Sequence, residues 1–250
     1  MVDRVEPDMA VLFVNDLGGW YRVEGERCVG GFEVTPEMLG PDGWARPSIL
    51  ATQADMVGGA LSTPASAPQI PITVDLTVHR IEPVGTGRVS MVGRLLRAGR
   101  RTTVAEVVFS VGDERPLIVS YSTFMPAPDP RHSQDYNGDR DMGGPSLSRP
   151  FIEQLGVRVP TPGVAELDRT TYTMQPTGTI QGGAVAALAE VAAETATGLP
   201  VRDLEVRYLA AVRVGPARAT AETMGGGRVR VEVRDTGNAD RLATLVLATV

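Results

Sequence analysis

Two stretches of this chain are apolar or small on every side, and each carries almost no charge. From Pro47 to Val74 the single charged residue is Asp55; between Thr170 and Val201 the only ones are Glu190 and Glu194. Ile180-Gln-Gly-Gly-Ala-Val-Ala-Ala-Leu-Ala-Glu-Val reads as the opening of a helix over 182–197, with Gly198 and Pro200 as its stop. A second helix is expected over 47–61, where Pro47 takes the first position, whose N–H needs no intrahelical partner. Surface helices normally show a charged face, so helices without one are expected to be enclosed by protein. A carboxylate there is costly unless it is paired or put to use.

Elsewhere the apolar positions alternate, which predicts strands. The clearest run near the N-terminus is 27–34, followed by a turn at Gly40-Pro-Asp-Gly43. After the first helix, 62–68 reads as a loop of small residues and prolines. Four strands are then expected at 70–81, 87–96, 102–111 and 117–125, with turns at Gly85-Thr-Gly87, Ala98-Gly99 and Gly112-Asp113. Residues 127–150, rich in Pro, Asp, Gly and Ser around Tyr136, have a linker composition. From Phe151 the plan resumes with a helical turn, strands near 157 and over 167–174, the 182–197 helix and four strands ending in the apolar 242–250. The pattern is α+β with antiparallel sheet.

The two halves align. Placing Ala54-Asp55 on Ala189-Glu190 brings Pro47 onto Gly182 and Ser48 onto Gly183. Downstream, Val74-Asp-Leu-Thr-Val-His-Arg-Ile81 matches Arg202-Asp-Leu-Glu-Val-Arg-Tyr-Leu209, at an offset seven residues shorter. This is an internal duplication, and it divides the chain into units 1–126 and 151–250 joined by 127–150.

Composition narrows the function. The 250 residues are 42% hydrophobic, enough for conventional cores, and no stretch resembles a signal peptide or membrane span. The net charge of −6 argues against nucleic acid or anionic membrane as the partner. A single cysteine, Cys28, excludes an internal disulfide and fits a reducing, cytoplasmic setting. All 24 basic residues are arginine, so lysine Schiff-base chemistry is excluded. His79 and His132 are too few and too scattered for a metal site. No Gly-x-Ser-x-Gly nucleophile turn occurs.

A long helix wrapped by an antiparallel sheet, present twice, resembles a double hotdog. The chain is most similar to acyl-CoA thioesterases of the phenylacetate-pathway and 4-hydroxybenzoyl-CoA type. In those enzymes a polar-Gly-Gly turn opens the helix and a carboxylate follows eight residues after the first glycine; here these are Gln181-Gly182-Gly183 and Glu190. The resemblance implies sites between paired units, with the oxyanion amide from one and the carboxylate from the other. A helix N-terminal amide suits that task, because its dipole adds to an unpaired N–H. One site would join Asp55 to Gly182 and Gly183, with Gln175 seven residues before the first glycine as in the hydroxybenzoyl type. The other would join Glu190 to the turn at Pro47 and Ser48, where proline has no N–H to donate and Gly40 stands in the place of Gln175. One competent site, built on Asp55, is therefore expected. Glu190 and Glu194 are read instead as hydrogen-bonding Arg or Tyr across the interface. Where the family often has a hydroxyl one turn after the carboxylate, this chain has Gly59 and Glu194.

On a helical wheel Asp55 is flanked by Ser48, Ala51, Thr52, Gly58, Gly59 and Ser62, a small-residue stripe that leaves room beside it. Desolvation there should raise its pKa and suit it to act as a general base or a nucleophile. Arg94, Arg97, Arg100 and Arg101 crowd a predicted hairpin turn, and Arg97, Arg100 and Arg101 are the candidates for binding the phosphates of coenzyme A. The expected substrate is a thioester of coenzyme A or an acyl carrier, with no separate cofactor. A non-catalytic acyl-CoA or lipid-binding hotdog and an enoyl-CoA hydratase-like hotdog remain as alternatives. Exposed sheet edges leave open a homodimer of double hotdogs.

Overall fold

The computed structural model describes residues 11–112, 115–129, 132 and 139–250. Tyr136 and part of the expected linker, with Asp113 of one expected turn, lie outside them. The first unit opens with a short helix α1 (Phe13–Leu17) and strands β1 (Trp20–Glu24) and β2 (Arg27–Val34). Helix α2 (Pro47–Ser66) follows, then β3 (Pro71–Arg80), β4 (Gly87–Ala98), β5 (Thr103–Ser110) and β6 (Ile118–Pro126). A two-residue strand β7 (Arg140–Asp141) leads to α3 (Phe151–Leu155), β8 (Arg158–Thr161) and β9 (Val164–Leu167). Helix α4 (Gly182–Thr197) and strands β10 (Asp203–Tyr208), β11 (Ala217–Gly225), β12 (Arg228–Asp235) and β13 (Arg241–Thr249) complete the second unit.

All described strands join one antiparallel sheet in the order β7-β1-β2-β4-β5-β6-β3-β10-β13-β12-β11-β9-β8. The halves meet where β3 pairs β10, with Leu76 opposite Val206, Val78 opposite Leu204 and Thr77 opposite Glu205. In the sequence repeat Leu76 corresponds to Leu204, Thr77 to Glu205 and Val78 to Val206. The crossing of partners places a pseudo-twofold axis at Thr77 and Glu205. Both repeat offsets reappear as bonds: Ala45 N–H donates to Val84 O (2.7 Å) and Ile180 N–H to Val212 O (3.0 Å).

Each helix lies on the inner face of its sheet, whose strands alternate buried and exposed positions as a one-sided sheet requires. Helix α2 sits close: a Cβ on Gly93 would come 2.7 Å from Val57 Cγ1, and one on Gly58 would come 2.7 Å from Ser122 Oγ and 3.0 Å from the Phe124 ring. Alanine is the commonest residue of α4, which lets it approach α2 and the sheet together. The N-terminal segment crosses to the other unit. Phe13 packs on Phe151 (5.8 Å between centroids), its N–H donates to Tyr172 O (3.0 Å), and Asp16 Oδ2 accepts from Tyr172 Oη (2.7 Å) and Gln154 Nε2 (2.8 Å).

Two boundaries differ from expectation. Residues 62–66, expected in a loop, continue α2 through Pro64. Proline there forfeits a single helical bond close to the end, and Thr63 Oγ1 folds back onto Gly59 O (3.0 Å) while Ala67 N–H closes onto Thr63 O (3.0 Å). The strand expected over 167–174 ends at Leu167. Beyond it threonine hydroxyls take the backbone groups that a ladder would use: Thr170 N–H donates to Thr173 Oγ1 (2.9 Å), which donates to Asp168 O (2.9 Å). The apolar run at 11–14 enters α1. No helix among the described residues is long and apolar enough to cross a membrane.

Candidate active site

Each long helix is entered through the same small hairpin. Gly40 N–H donates to Trp44 O and Gly43 N–H to Gly40 O; in the second unit Gln175 N–H donates to Thr179 O and Gly178 N–H to Gln175 O. Gly43 and Gly178 both need positive φ (+78° each), which glycine adopts freely. The hairpin delivers the residue before the helix to the interface between α2 and α4. In the first unit that residue is Arg46 and in the second it is Gln181.

Around Glu190 the site is filled. Arg46 Nη1 donates to Glu190 Oε1 (2.7 Å) and to Glu194 Oε2 (3.0 Å), while the Ser48 N–H donates to Glu190 Oε2 (3.0 Å). The Glu190 side chain is fully buried and that of Glu194 nearly so. Burial and the neighbouring Glu190 charge push Glu194 up to about 7 against the pull of Arg46. The Ser48 Oγ is buried without a hydrogen-bond partner among the described residues.

Around Asp55 the same positions are arranged differently. Gln181 turns back onto its own helix as an N-cap, its Oε1 accepting from Gly183 N–H (2.5 Å) and Ala184 N–H (3.3 Å), and no ion pair forms at Asp55 among the described residues. The described neighbour of the Asp55 carboxylate is Thr73, whose Oγ1 donates to Oδ1 (2.5 Å). Burial pushes Asp55 up to about 6, with the Thr73 bond opposing. Tyr208 Oη donates to Gly182 O (3.0 Å), and burial together with the Asp55 charge raises the Tyr208 hydroxyl well above its ordinary value. Tyr208 is thus within electrostatic reach of Asp55 and in contact with the diglycine turn.

A cavity of about 220 Å³ opens beside Asp55, bounded by Gly59, Tyr21, Ile70, Arg140 and Gln175 among others. Asp55 and Gln175, from opposite units, share this space. Gln175 Nε2 also donates to Thr179 Oγ1 (2.7 Å). Gly182 and Gly183 do not line it and sit behind Tyr208 and Thr52. A side chain at Gly183 would overlap Thr52 Oγ1, and one at Gly182 would touch the Tyr208 ring. The Gly183 N–H is taken by Gln181; the Gly182 N–H has no acceptor among the described residues. Of the glycine pair after Asp55, Gly58 is needed for close helix–sheet contact, whereas Gly59 borders the cavity.

The arginine-rich turn joins β4 to β5. Arg94 is paired with Glu106 (2.7 Å), while Arg97, Arg100 and Arg101 surround a depression of about 450 Å³. Strand register places this tip at the Asp55 end of the sheet, since Ala98 faces Thr103, Thr103 faces Phe124, and Phe124 faces Thr73. No group of three or more His, Cys, Asp or Glu among the described residues could hold a metal ion.

Thr73, Tyr208 and Arg46 were not singled out from the sequence. Arg46 had a signal: the repeat alignment sets a cation opposite Gln181, and Glu190 and Glu194 wanted a donor. Thr73 and Tyr208 had none, because Thr73 meets Asp55 only where β3 packs on α2, and Tyr208 nears Asp55 only across the two units.

No family model matches this chain, and no curated protein matches it. Among solved structures it is similar to an acyl-ACP thioesterase from Bacteroides thetaiotaomicron, with a TM-score of 0.63 at 12% identity over 90% of this chain and 97% of that one. It is also similar to a conserved protein with a hot dog fold from Alicyclobacillus acidocaldarius, with a TM-score of 0.55 at 15% identity over 91% and 93%. By its fold, this chain is a hot dog protein carrying two such units in tandem.

Proposed function

We propose that the protein hydrolyses an acyl thioester, of coenzyme A or an acyl carrier, at one site per chain beside Asp55. The observation that carries this reading is the contrast between matched acids. Glu190 is ion-paired with Arg46 and enclosed, whereas Asp55 has no ion pair among the described residues and faces a cavity shared with Gln175 and Arg140. The solved acyl-ACP thioesterase of similar fold supports the same reaction class.

In this reading the ionised Asp55 takes a proton from water as the water oxygen adds to the thioester carbonyl. The Gln175 amide, which lines the cavity with Asp55, is the donor to the developing oxyanion, and the Gly182 N–H expected for that task lies outside the lining. Collapse breaks the C–S bond, and the proton held on Asp55 passes to the departing thiolate. Arg97, Arg100 and Arg101 receive phosphates at the surface.

Thiol release from a panel of acyl-CoAs tests the reading. Asp55→Asn is expected to lower kcat/KM at least about a hundredfold with the fold intact. Full activity in that variant refutes the assignment. Ligand-dependent stabilisation without turnover at any chain length would instead identify a non-catalytic acyl-binding protein.

A further inference from the structure

The two sites also differ one helical turn beyond the acid. The repeat that matches Asp55 to Glu190 matches Gly59 to Glu194. Glu194 fills its place with a second carboxylate bound to Arg46 (3.0 Å), whereas Gly59 borders the cavity beside Asp55. The reason for a glycine at 59 is not packing. A Cβ there would meet only the Phe124 Cε1 atom at 3.7 Å, an ordinary contact, whereas one on neighbouring Gly58 would strike Ser122 and Phe124. Nor does the backbone need it, since Gly59 lies inside α2 without a positive φ, where alanine is the better helix former.

Building on the thioesterase reading, we propose that Gly59 is a specificity-determining residue: its missing side chain is the space into which the acyl chain extends past the thioester. Met56, Ala60, Ile70 and Pro176 give the cavity an apolar wall for such a chain, beside the polar Thr63, Gln69 and Arg140. A methyl group at 59 would shorten it without disturbing α2.

The test is Gly59→Ala, with binding read from the non-hydrolysable thioethers S-ethyl-CoA and S-hexyl-CoA and turnover from acetyl-CoA and hexanoyl-CoA. The Tm is expected to hold or to rise by about 2–4 °C, because alanine favours the helix. Affinity for S-hexyl-CoA and kcat/KM for hexanoyl-CoA should fall about tenfold, as an added methylene in a packed space does, with the shorter compounds within about twofold. A lowered Tm would make Gly59 structural and overturn the proposal. So would equal losses for both chain lengths, or no loss for either. If the wild-type protein binds the thioethers but releases no thiol, hydrolysis fails while the binding comparison still decides the role of Gly59. Wild-type protein that binds neither thioether refutes both.

Discussion

Asp55 and Glu190 occupy the same place in two copies of one helix and have opposite surroundings. Glu190 receives a guanidinium and a backbone N–H, while Asp55 receives one hydroxyl. Burial raises the folded-state pKa of Asp55 from 3.8 to about 6. The folded protein therefore holds this proton more tightly than the unfolded chain. The stabilisation is complete below the unfolded value and is lost as pH rises through about 6; its size is at most about 3 kcal/mol. Activity should run the other way, because a general base must be ionised. The kcat/KM profile is expected to rise with pH to a shoulder near 6 that Asp55→Asn abolishes, while the wild-type Tm falls relative to that variant over the same interval. A flat profile across this range would refute Asp55 as the base. The isolation of Asp55 was legible in the sequence, since no other charge lies between Pro47 and Val74. What it faces instead was not legible, because that depends on where the fold carries Thr73 and Gln175.

Helices α2 and α4 are joined by the Arg46 bonds to Glu190 and Glu194. Removing the cation leaves two carboxylates beside each other in a buried interface. Arg46→Met is therefore expected to cost about 3–5 kcal/mol in chemical denaturation, while the folded fraction keeps its turnover at the Asp55 site. Lost turnover in fully folded variant would place the working site at Glu190 instead. Both helices could be found from their lack of charge and from the Pro47 and Gly198 signals. The length of α2 could not, because Pro64 reads as a stop until Thr63 is seen to close the turn. The missing strand after Leu167 has a similar cause, since Thr170 and Thr173 suit a strand by type but bond locally.

For the whole molecule, one continuous sheet crosses from unit to unit at β3 and β10, and α1 docks on the far unit through Phe13 and Asp16. Either unit alone would bare the edge of β3 or β10 and lose this dock. Calorimetry is expected to show a single unfolding transition; two separable transitions would refute the coupling. The correspondence of the two halves was readable because paired offsets survive in Asp-Leu-x-Val and in the matched acids. That the halves share one sheet was not, since the β3 and β10 sequences fit an edge as well as a centre.

The cavity beside Asp55 draws its walls from both ends of a single backbone, with Met56 and Gly59 on one side and Gln175 and Pro176 on the other. A site assembled from separate subunits comes apart when they are diluted below their dissociation constant. Here tethering keeps the two walls at a fixed mutual concentration, so the pocket persists however scarce the protein becomes.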